Sequence, residues 1–495
     1  MTVANQDNES RVNQWKTLDK DLKRIGRVES AGQFVARGMV APGIALAFIV
    51  LVGLVAAVLV GGQPGQLVVI AAAAIGAYMA LNIGANDVAN NMGPAVGSRA
   101  MTLIGALIVA AIFESLGALV AGGDVVKTVA KGIIEPTALP DSGHFVWAMM
   151  AALLAAALWL NLATWLGAPV STTHSIVGGV VGAGIVAAGF GAVDWGSMGK
   201  IAASWVISPV MGGVIAAAFL ALIKTKVIYV DDKIAAARRW VPILIGIMSG
   251  AFAAYLALKG LKHLFKITIV EAVLIGLVVG VIGWLVTIPM IRRQSEGMEN
   301  RKKSLKTLFG LPLVVSAALL SFAHGANDVA NAVGPLAAIV HTVEQGDIAA
   351  EVGIPFWVMA VGALGISVGL LLFGPKLIRL VGNEITKLNP MRAYCVALSA
   401  AITVIVASWL GLPVSSTHIA VGGIFGVGFY REWHAEKRAR ELGIRKGKPV
   451  PPEERKRRLL VRRSHMMTVA TAWIVTVPAS AALSAVVYLI LNAIT

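Results

Sequence analysis

Two short polar motifs within apolar sequence have the residue types needed to bind small cations. The eleven residues from Gly84 to Pro94 agree at nine positions with those from Gly325 to Pro335, 241 residues further along. In each copy an aspartate precedes an asparagine by three residues, so both side chains can share one face of a helix. Carboxylate and amide oxygens, with carbonyls unwound beside a discontinuous helix, suit sodium. We therefore predict two sodium sites, formed by Asn86, Asp87 and Asn90 and by Asn327, Asp328 and Asn331.

The other interpretation of these motifs is structural: each aspartate caps a broken helix and bonds to neighbouring asparagines. An aspartate at the centre of a bilayer costs roughly 2.5–3.5 kcal/mol on insertion scales, and a bound cation would offset that cost. The recurrence of the whole motif favours the ion site.

A second repeated motif is suited to an anion. Residues 164–182 and 408–426 agree at twelve of nineteen positions, and each contains a Pro-Val-Ser segment followed by Thr and His. Proline stops a helix and Ser or Thr opens the next one, and the start of that helix exposes unpaired N–H groups that attract anions. We predict a site for a tetrahedral oxyanion at Ser171, Thr172 and Thr173 and at Ser415, Ser416 and Thr417. The alternative is that these hydroxyls only cap their own helices.

Cations and an anion in one dry site screen each other, so their binding is coupled through a mutual free energy. Glu114 is a further candidate because a carboxylate inside a membrane span is functional by default. It could be a third cation ligand or a proton carrier, or a protonated side chain bonded to the next helix. We interpret His174 and His418 as packing residues. His324 has Ile83 at the equivalent position, so we assign it no shared role.

The composition of the chain indicates which class of fold positions these residues. The chain has 495 residues, of which 57% are hydrophobic and 14% charged, and its mean hydropathy is +0.79. A soluble protein carries roughly 25% charged residues, so we predict a polytopic, all-α membrane protein. The net charge of +16 lies in a few loops and indicates topology rather than nucleic-acid binding. The single cysteine, Cys395, excludes an internal disulfide.

Apolar segments predict about 12–13 transmembrane helices. Basic loops fall on the cytoplasmic side if the N-terminus is cytoplasmic, and we expect a multi-pass protein of the cytoplasmic membrane. Counting the segments between motif copies makes the halves inverted repeats, each with a re-entrant Pro-Ser-Thr hairpin, and such repeats place the substrate near the midplane. The predicted parts are a cytoplasmic extension (1–38), an additional transmembrane helix (39–63), repeat 1 (64–223), linking helices with basic cytoplasmic loops (224–308) and repeat 2 (309–495), which contains a basic cytoplasmic loop (431–465).

The two motif pairs resemble those of the inorganic phosphate transporter (PiT) family, whose signature occurs once in each half. The resemblance extends over residues 66–491 and implies symport of inorganic phosphate with a cation. It maps sodium onto Asp87, Asn90, Asp328 and Asn331, and phosphate onto the two hydroxyl clusters. Both aspartates are present, as in the sodium-coupled members.

Other functions remain as alternatives at this point. Some relatives are proton-coupled symporters of metal-phosphate and others transport sulfate, and a channel with two half-helices is a rival of another class. The sequence has no nucleophile elbow, metal-binding His-Glu spacing or phosphate-binding glycine loop, so we predict that the protein is not an enzyme. The expected partners are inorganic phosphate, co-transported sodium and membrane lipid, with no resident cofactor and no nucleic acid. A homodimer is left open.

Overall fold

A computed structural model describes residues 39–135, 138–166, 170–260, 267–346, 353–384, 388–441 and 463–494, and in these ranges the fold is all helical. The helices of the first part of the chain are α1 (Met39–Leu59), α2 (Gln66–Gly97), α3 (Leu103–Ala121), α4 (Gly123–Lys131), α5 (Ser142–Leu166), α6 (Thr172–Ala188), α7 (Trp195–Ile223) and α8 (Lys233–Lys259). Those of the second part are α9 (Ile269–Gln294), α10 (Lys302–Leu308), α11 (Gly310–Asp328), α12 (Ala330–Gln345), α13 (Phe356–Glu384), α14 (Pro390–Trp409), α15 (Ser416–Glu441) and α16 (Arg463–Ile494).

Eleven helices of the described ranges are long and apolar enough to cross a membrane, and α11 and α12 together count as one of them. The remaining two predicted spans correspond to α6, which is apolar but has only 17 residues, and to the start of α15. The prediction of a polytopic helical membrane protein is therefore confirmed. The extension at 1–38 and most of the loop at 431–465 lie outside the described residues.

The cation motifs do not break their helices, which corrects the expectation of unwound carbonyls. Helix α2 runs without interruption from Gln66 to Gly97, with Pro94 inside its last turn. Between α11 and α12 only Val329 is unassigned, and its φ of −56° and ψ of −31° are helical. The polar side chains point toward neighbouring helices, so they can form their contacts while the helical backbone stays intact.

Close helix crossings recur at equivalent places in the two halves. The pair α2 and α13 and the pair α11 and α3 meet where glycines lie against the partner's backbone, so an added Cβ would overlap it. Small residues allow such approach between membrane helices. The glycines and the residues that their Cβ atoms would meet are Gly84 with Ile366, Gly369 with Leu81, Gly325 with Glu114, and Gly117 with Phe322.

These contacts are reciprocal. The offset of 241 residues that relates the two cation motifs also relates Leu81 to Phe322, and an offset of 252 relates Gly117 to Gly369. Reciprocal contacts of the same kind join α6 to α16 and α15 to α7. There the glycines and their partners are Gly178 with Val477, Gly182 with Ala481, Gly422 with Pro209, and Gly426 with Gly213.

A serine pair joins α3 to α13 at equivalent positions of the two halves. The hydroxyls of Ser115 and Ser367 are 2.6 Å apart. Each also reaches a carbonyl of the opposite helix, Ser115 that of Ala363 and Ser367 that of Ala111. Each helix of one half therefore packs against a helix of the other, as in an internal repeat. The inverted membrane orientation and the predicted domain boundaries stay predictions.

The glycine crossings give a first prediction. Replacing Gly369 or Gly117 with Ala should lower the midpoint of thermal unfolding in detergent by a similar amount, because a Cβ would push the facing helix away. Overpacking of this kind costs about 1–3 kcal/mol. Gly43→Ala in α1 is the control, since a Cβ there meets nothing within 4 Å. Equal midpoints for all three variants would contradict the packing described here.

Candidate functional site

The two motif aspartates lie next to each other in the interior. Asp87 is carried by α2 and Asp328 ends α11, and both are fully buried. The Nε2 atom of His324 is 3.6 Å from Asp87 Oδ2 and 3.2 Å from Asp328 Oδ2. One ligand atom from each of these three side chains lies within 4.8 Å of the others, which is close enough for one metal ion to bind all three. The predicted sites thus form one cluster.

Glu114 completes this cluster from α3. Its Oε2 atom lies 3.3 Å from His324 Nδ1, on the other side of the imidazole ring from the aspartates. Its Oε1 atom accepts a 2.9 Å hydrogen bond from Asn91 Nδ2, and both side chains are fully buried. Three carboxylates therefore surround one imidazole, at the crossing of α3 with α11. Glu114 belongs to the predicted site, whereas Asn91 was not predicted.

His324 is the residue of this cluster to which the sequence assigned no role. It is the equivalent of Ile83, which was the reason for assigning it no role. The reciprocal crossings make Ile366 the equivalent of Glu114, because Gly84 meets Ile366 as Gly325 meets Glu114. The crossing of α3 with α11 thus has a Glu-His pair where the equivalent crossing of α2 with α13 has two buried isoleucines. The spacing of four residues between His324 and Asp328 was the available signal, since it places both on one helical face.

The hydroxyl clusters connect to the aspartates across the two halves. Thr172 Oγ1 donates to Asp328 Oδ2 at 3.1 Å, and Thr417 Oγ1 donates to Asp87 Oδ1 at 3.1 Å. The motif amides join the same contacts: Asn90 Nδ2 donates to Thr417 Oγ1 at 2.7 Å, and Asn331 Nδ2 donates to Thr172 Oγ1 at 3.3 Å. The predicted cation and anion residues therefore share hydrogen bonds.

The remaining predicted hydroxyls have different environments, all of them buried. Ser171 and Ser415 are N-caps that accept from the backbone N–H groups of His174 and His418, as the capping alternative expects. Thr173 Oγ1 donates to the carbonyl of Val414 at 3.0 Å. Ser416 Oγ makes no hydrogen bond within the described residues.

Asn86 and Asn327, the first asparagine of each cation motif, contact the segments that precede the hydroxyl clusters. Asn86 Nδ2 donates to Thr164 Oγ1 at 3.2 Å, and Asn327 Nδ2 donates to Ser408 Oγ at 3.0 Å. These two contacts are equivalent in the repeat. Asn327 also accepts from the backbone N–H of Val414, so it fixes the chain just before α15.

Several motif oxygens are buried without a hydrogen-bond donor. Among the described residues, Asn86 Oδ1, Asp87 Oδ2, Asp328 Oδ1 and Asn331 Oδ1 are shielded from solvent and accept no hydrogen bond. Buried polar atoms are nearly always paired, and these atoms can only accept. A cation is one partner that could satisfy such oxygens, and they occur in both copies of the motif. The donor set fits sodium, which prefers oxygen ligands.

The two histidines after the hydroxyl clusters pack against each other where the helix starts meet. Their ring centroids are 4.4 Å apart in an edge-on contact. His174 lies 3.9 Å from the ring of Trp205 in α7, and His418 stacks at 3.6 Å on Trp473 in α16. Trp205 and Trp473 occupy equivalent positions in the repeat. This arrangement agrees with the packing role expected for both histidines.

Comparisons with known proteins identify the family of this chain. The model of the phosphate transporter family matches residues 83–484. A Helicobacter pylori protein named "Putative phosphate permease" is 43% identical over 95% of this chain and 99% of its own, and a Pyrococcus abyssi protein of the same description is 37% identical over 84% and 96%. A solved structure, "The sodium-dependent phosphate transporter", has a TM-score of 0.78 and 35% identity over 87% of this chain and all of its own. This chain therefore belongs to the phosphate transporter family.

Proposed function

We propose that this protein is a sodium-coupled symporter of inorganic phosphate in the cytoplasmic membrane. The observation that carries this proposal is the contact of Thr172 with Asp328 and of Thr417 with Asp87, which joins the hydroxyl clusters to the carboxylates from both sides. Membership of the family supports phosphate as the substrate. The name of the solved relative supports sodium as the coupling ion.

Burial of three carboxylates creates the demand for cations. Asp87, Asp328 and Glu114 lie around His324, and a single imidazole can offset at most one negative charge. In a low-dielectric interior the remaining charge is costly, because charge–charge energies rise as the dielectric constant falls. Sodium bound to the donor-free oxygens of Asp87 and Asp328 would supply the balancing charge. The stability of the site therefore depends on the charge that a bound cation supplies.

Phosphate would bind at the starts of α6 and α15. The first turn of each helix has backbone N–H groups without an intrahelical partner, and the helix dipole adds a positive potential there. The hydroxyls of Thr172, Ser416 and Thr417 lie at these starts and are buried. When phosphate arrives, a threonine hydroxyl that donates to an aspartate can turn toward the phosphate oxygen if sodium replaces the hydrogen bond. Sodium binding thus frees the threonine hydroxyl for phosphate, and phosphate binding frees the aspartate oxygen for sodium.

A proton-coupled symporter is the second candidate, and one observation favours it. The pair of Glu114 and His324 is buried, bridged at 3.3 Å and adjacent to both aspartates, so it could carry a proton along with the substrate. The two candidates differ in the gradient that drives uptake.

Uptake of radiolabelled phosphate into proteoliposomes tests both candidates, with sodium and pH gradients imposed separately. We expect an inward sodium gradient to drive uptake, and Asp87→Asn and Asp328→Asn to reduce it to the level of protein-free vesicles, because each loses a cation ligand. Asp141→Asn is the matched control, since that aspartate is exposed and lies outside the site. Equal uptake driven by a pH gradient without sodium would reject sodium coupling in favour of the proton.

The shared hydroxyl gives a further prediction. Thr417→Val should raise the phosphate KM and the sodium concentration for half-maximal uptake together, each roughly tenfold, because a hydrogen bond to a charged group contributes about 1.5–3 kcal/mol. Thr403→Val is the control: Thr403 is also buried, but its hydroxyl donates only to Ser399 in its own helix. A change in one constant alone would show that the hydroxyl serves a single ion.

A further inference from the structure

A basic cleft lies apart from the ion site, between α7, α10, α14 and α15. Its volume is about 650 Å³, within the usual range of ligand pockets. Six cationic side chains and one histidine line it, and no acidic side chain does so among the described residues. The charged lining consists of Lys224, Lys302, Lys306, Arg392, Arg431, Arg438 and His434.

Aromatic rings, rather than carboxylates, hold several of these cations in place. Lys224 Nζ lies 4.8 Å from the ring centre of Tyr430, and the guanidinium of Arg438 lies 4.4 Å from that of Tyr229. Tyr229 stacks in turn on His434 at 5.3 Å. Such cation–π contacts stabilise the cations without neutralising their charge. The cleft therefore keeps its positive potential.

Three of the lining cations are partly shielded from solvent. Lys224, Arg392 and Arg431 are half-buried, so water screens their mutual repulsion incompletely. Burial lowers the pKa of His434, and the charges of Lys224 and Arg438 lower it further. The acids whose charges reach the cluster, Glu432 and Glu441, lie outside the lining. A cluster that served only membrane topology would point its long side chains apart into solvent.

We propose that the basic cleft binds an anion that carries more than one negative charge on phosphate groups. Arginine recognises phosphate through paired N–H donors, and lysine recognises it as a point charge. The inner wall contributes the apolar side chains of Leu220, Ile228 and Met391, and the cleft lies where α7 and α14 reach the end of their apolar spans. Two sources present this chemistry there: the headgroup of an anionic lipid and a soluble polyphosphate compound.

The cleft shares no residue with the predicted sodium and phosphate sites, so this proposal stands or fails separately from the transport mechanism. One sign of this cleft is present in the sequence, because the loop 431–465 is strongly basic, with 13 basic and 5 acidic residues. The structure adds that the start of this segment folds as part of α15 and meets cations from three other helices.

Binding to the purified protein tests the proposal, with two probes for the two sources. Inorganic tripolyphosphate is titrated by calorimetry, and cardiolipin, a lipid with two phosphate groups, is counted by native mass spectrometry where it stays bound through detergent exchange. We expect one of the probes to bind the wild type, and Arg392→Gln/Arg431→Gln to bind that probe roughly tenfold more weakly because two charge-assisted contacts are lost. Lys302→Gln/Lys306→Gln removes two exposed cations of the same cleft, so it tests the site even if the buried pair is needed for folding.

The control is Lys226→Gln/Lys303→Gln, which removes the same charge from exposed lysines outside the lining. It should bind like the wild type. Loss of tripolyphosphate binding in the cleft variants alone identifies a soluble anion, and loss of retained lipid alone identifies a headgroup. Equal binding by cleft and control variants, or no binding of either probe to the wild type, would overturn the proposal.

Discussion

The burial of negative charge around one imidazole is the constraint on which the rest of the site depends. Asp87, Asp328 and Glu114 come from three different helices and all reach His324 within 3.6 Å. Each buried carboxylate needs a partner, because removing a charge from water costs far more than any single contact returns. Hydroxyls, amides and cations are the partners that this interior offers, and the threonines at the two helix starts are among them.

Helix packing gives this cluster its geometry. Glu114 reaches His324 only because Gly117 and Gly325 let α3 and α11 approach to backbone contact. The equivalent crossing of α2 with α13 positions Asp87 in the same way. Each half contributes a helix to the other's crossing, so neither half could form its ion site alone. The close crossings therefore connect a sequence feature, glycine spacing, to the chemistry of the site.

Much of this site could be predicted from sequence because it occurs twice. Repetition identified the aspartates, the asparagines and the hydroxyl clusters, and the structure joins one threonine of each cluster to an aspartate and an asparagine of the cation motifs. Two features could not be predicted. His324 was discounted because its equivalent is Ile83, and its link to Glu114 depends on a helix crossing that no local pattern shows. Continuity of α2 was missed because Asn, Gly and Pro disfavour helices locally, whereas packing and side-chain contacts override that preference here.

The Glu114–His324 pair has two isoleucines as its counterpart at the equivalent crossing. This asymmetry affects how the proposed cations would interact. Because one imidazole contacts both aspartates, a cation that binds to either of them competes with the same His324 nitrogen. Binding at one of the proposed sites would then change the electrostatic field at the other aspartate. A strictly symmetric site, with isoleucine at both positions, would leave the two cations to interact only through space. The Glu-His pair would thus make the two proposed cation sites coupled and inequivalent.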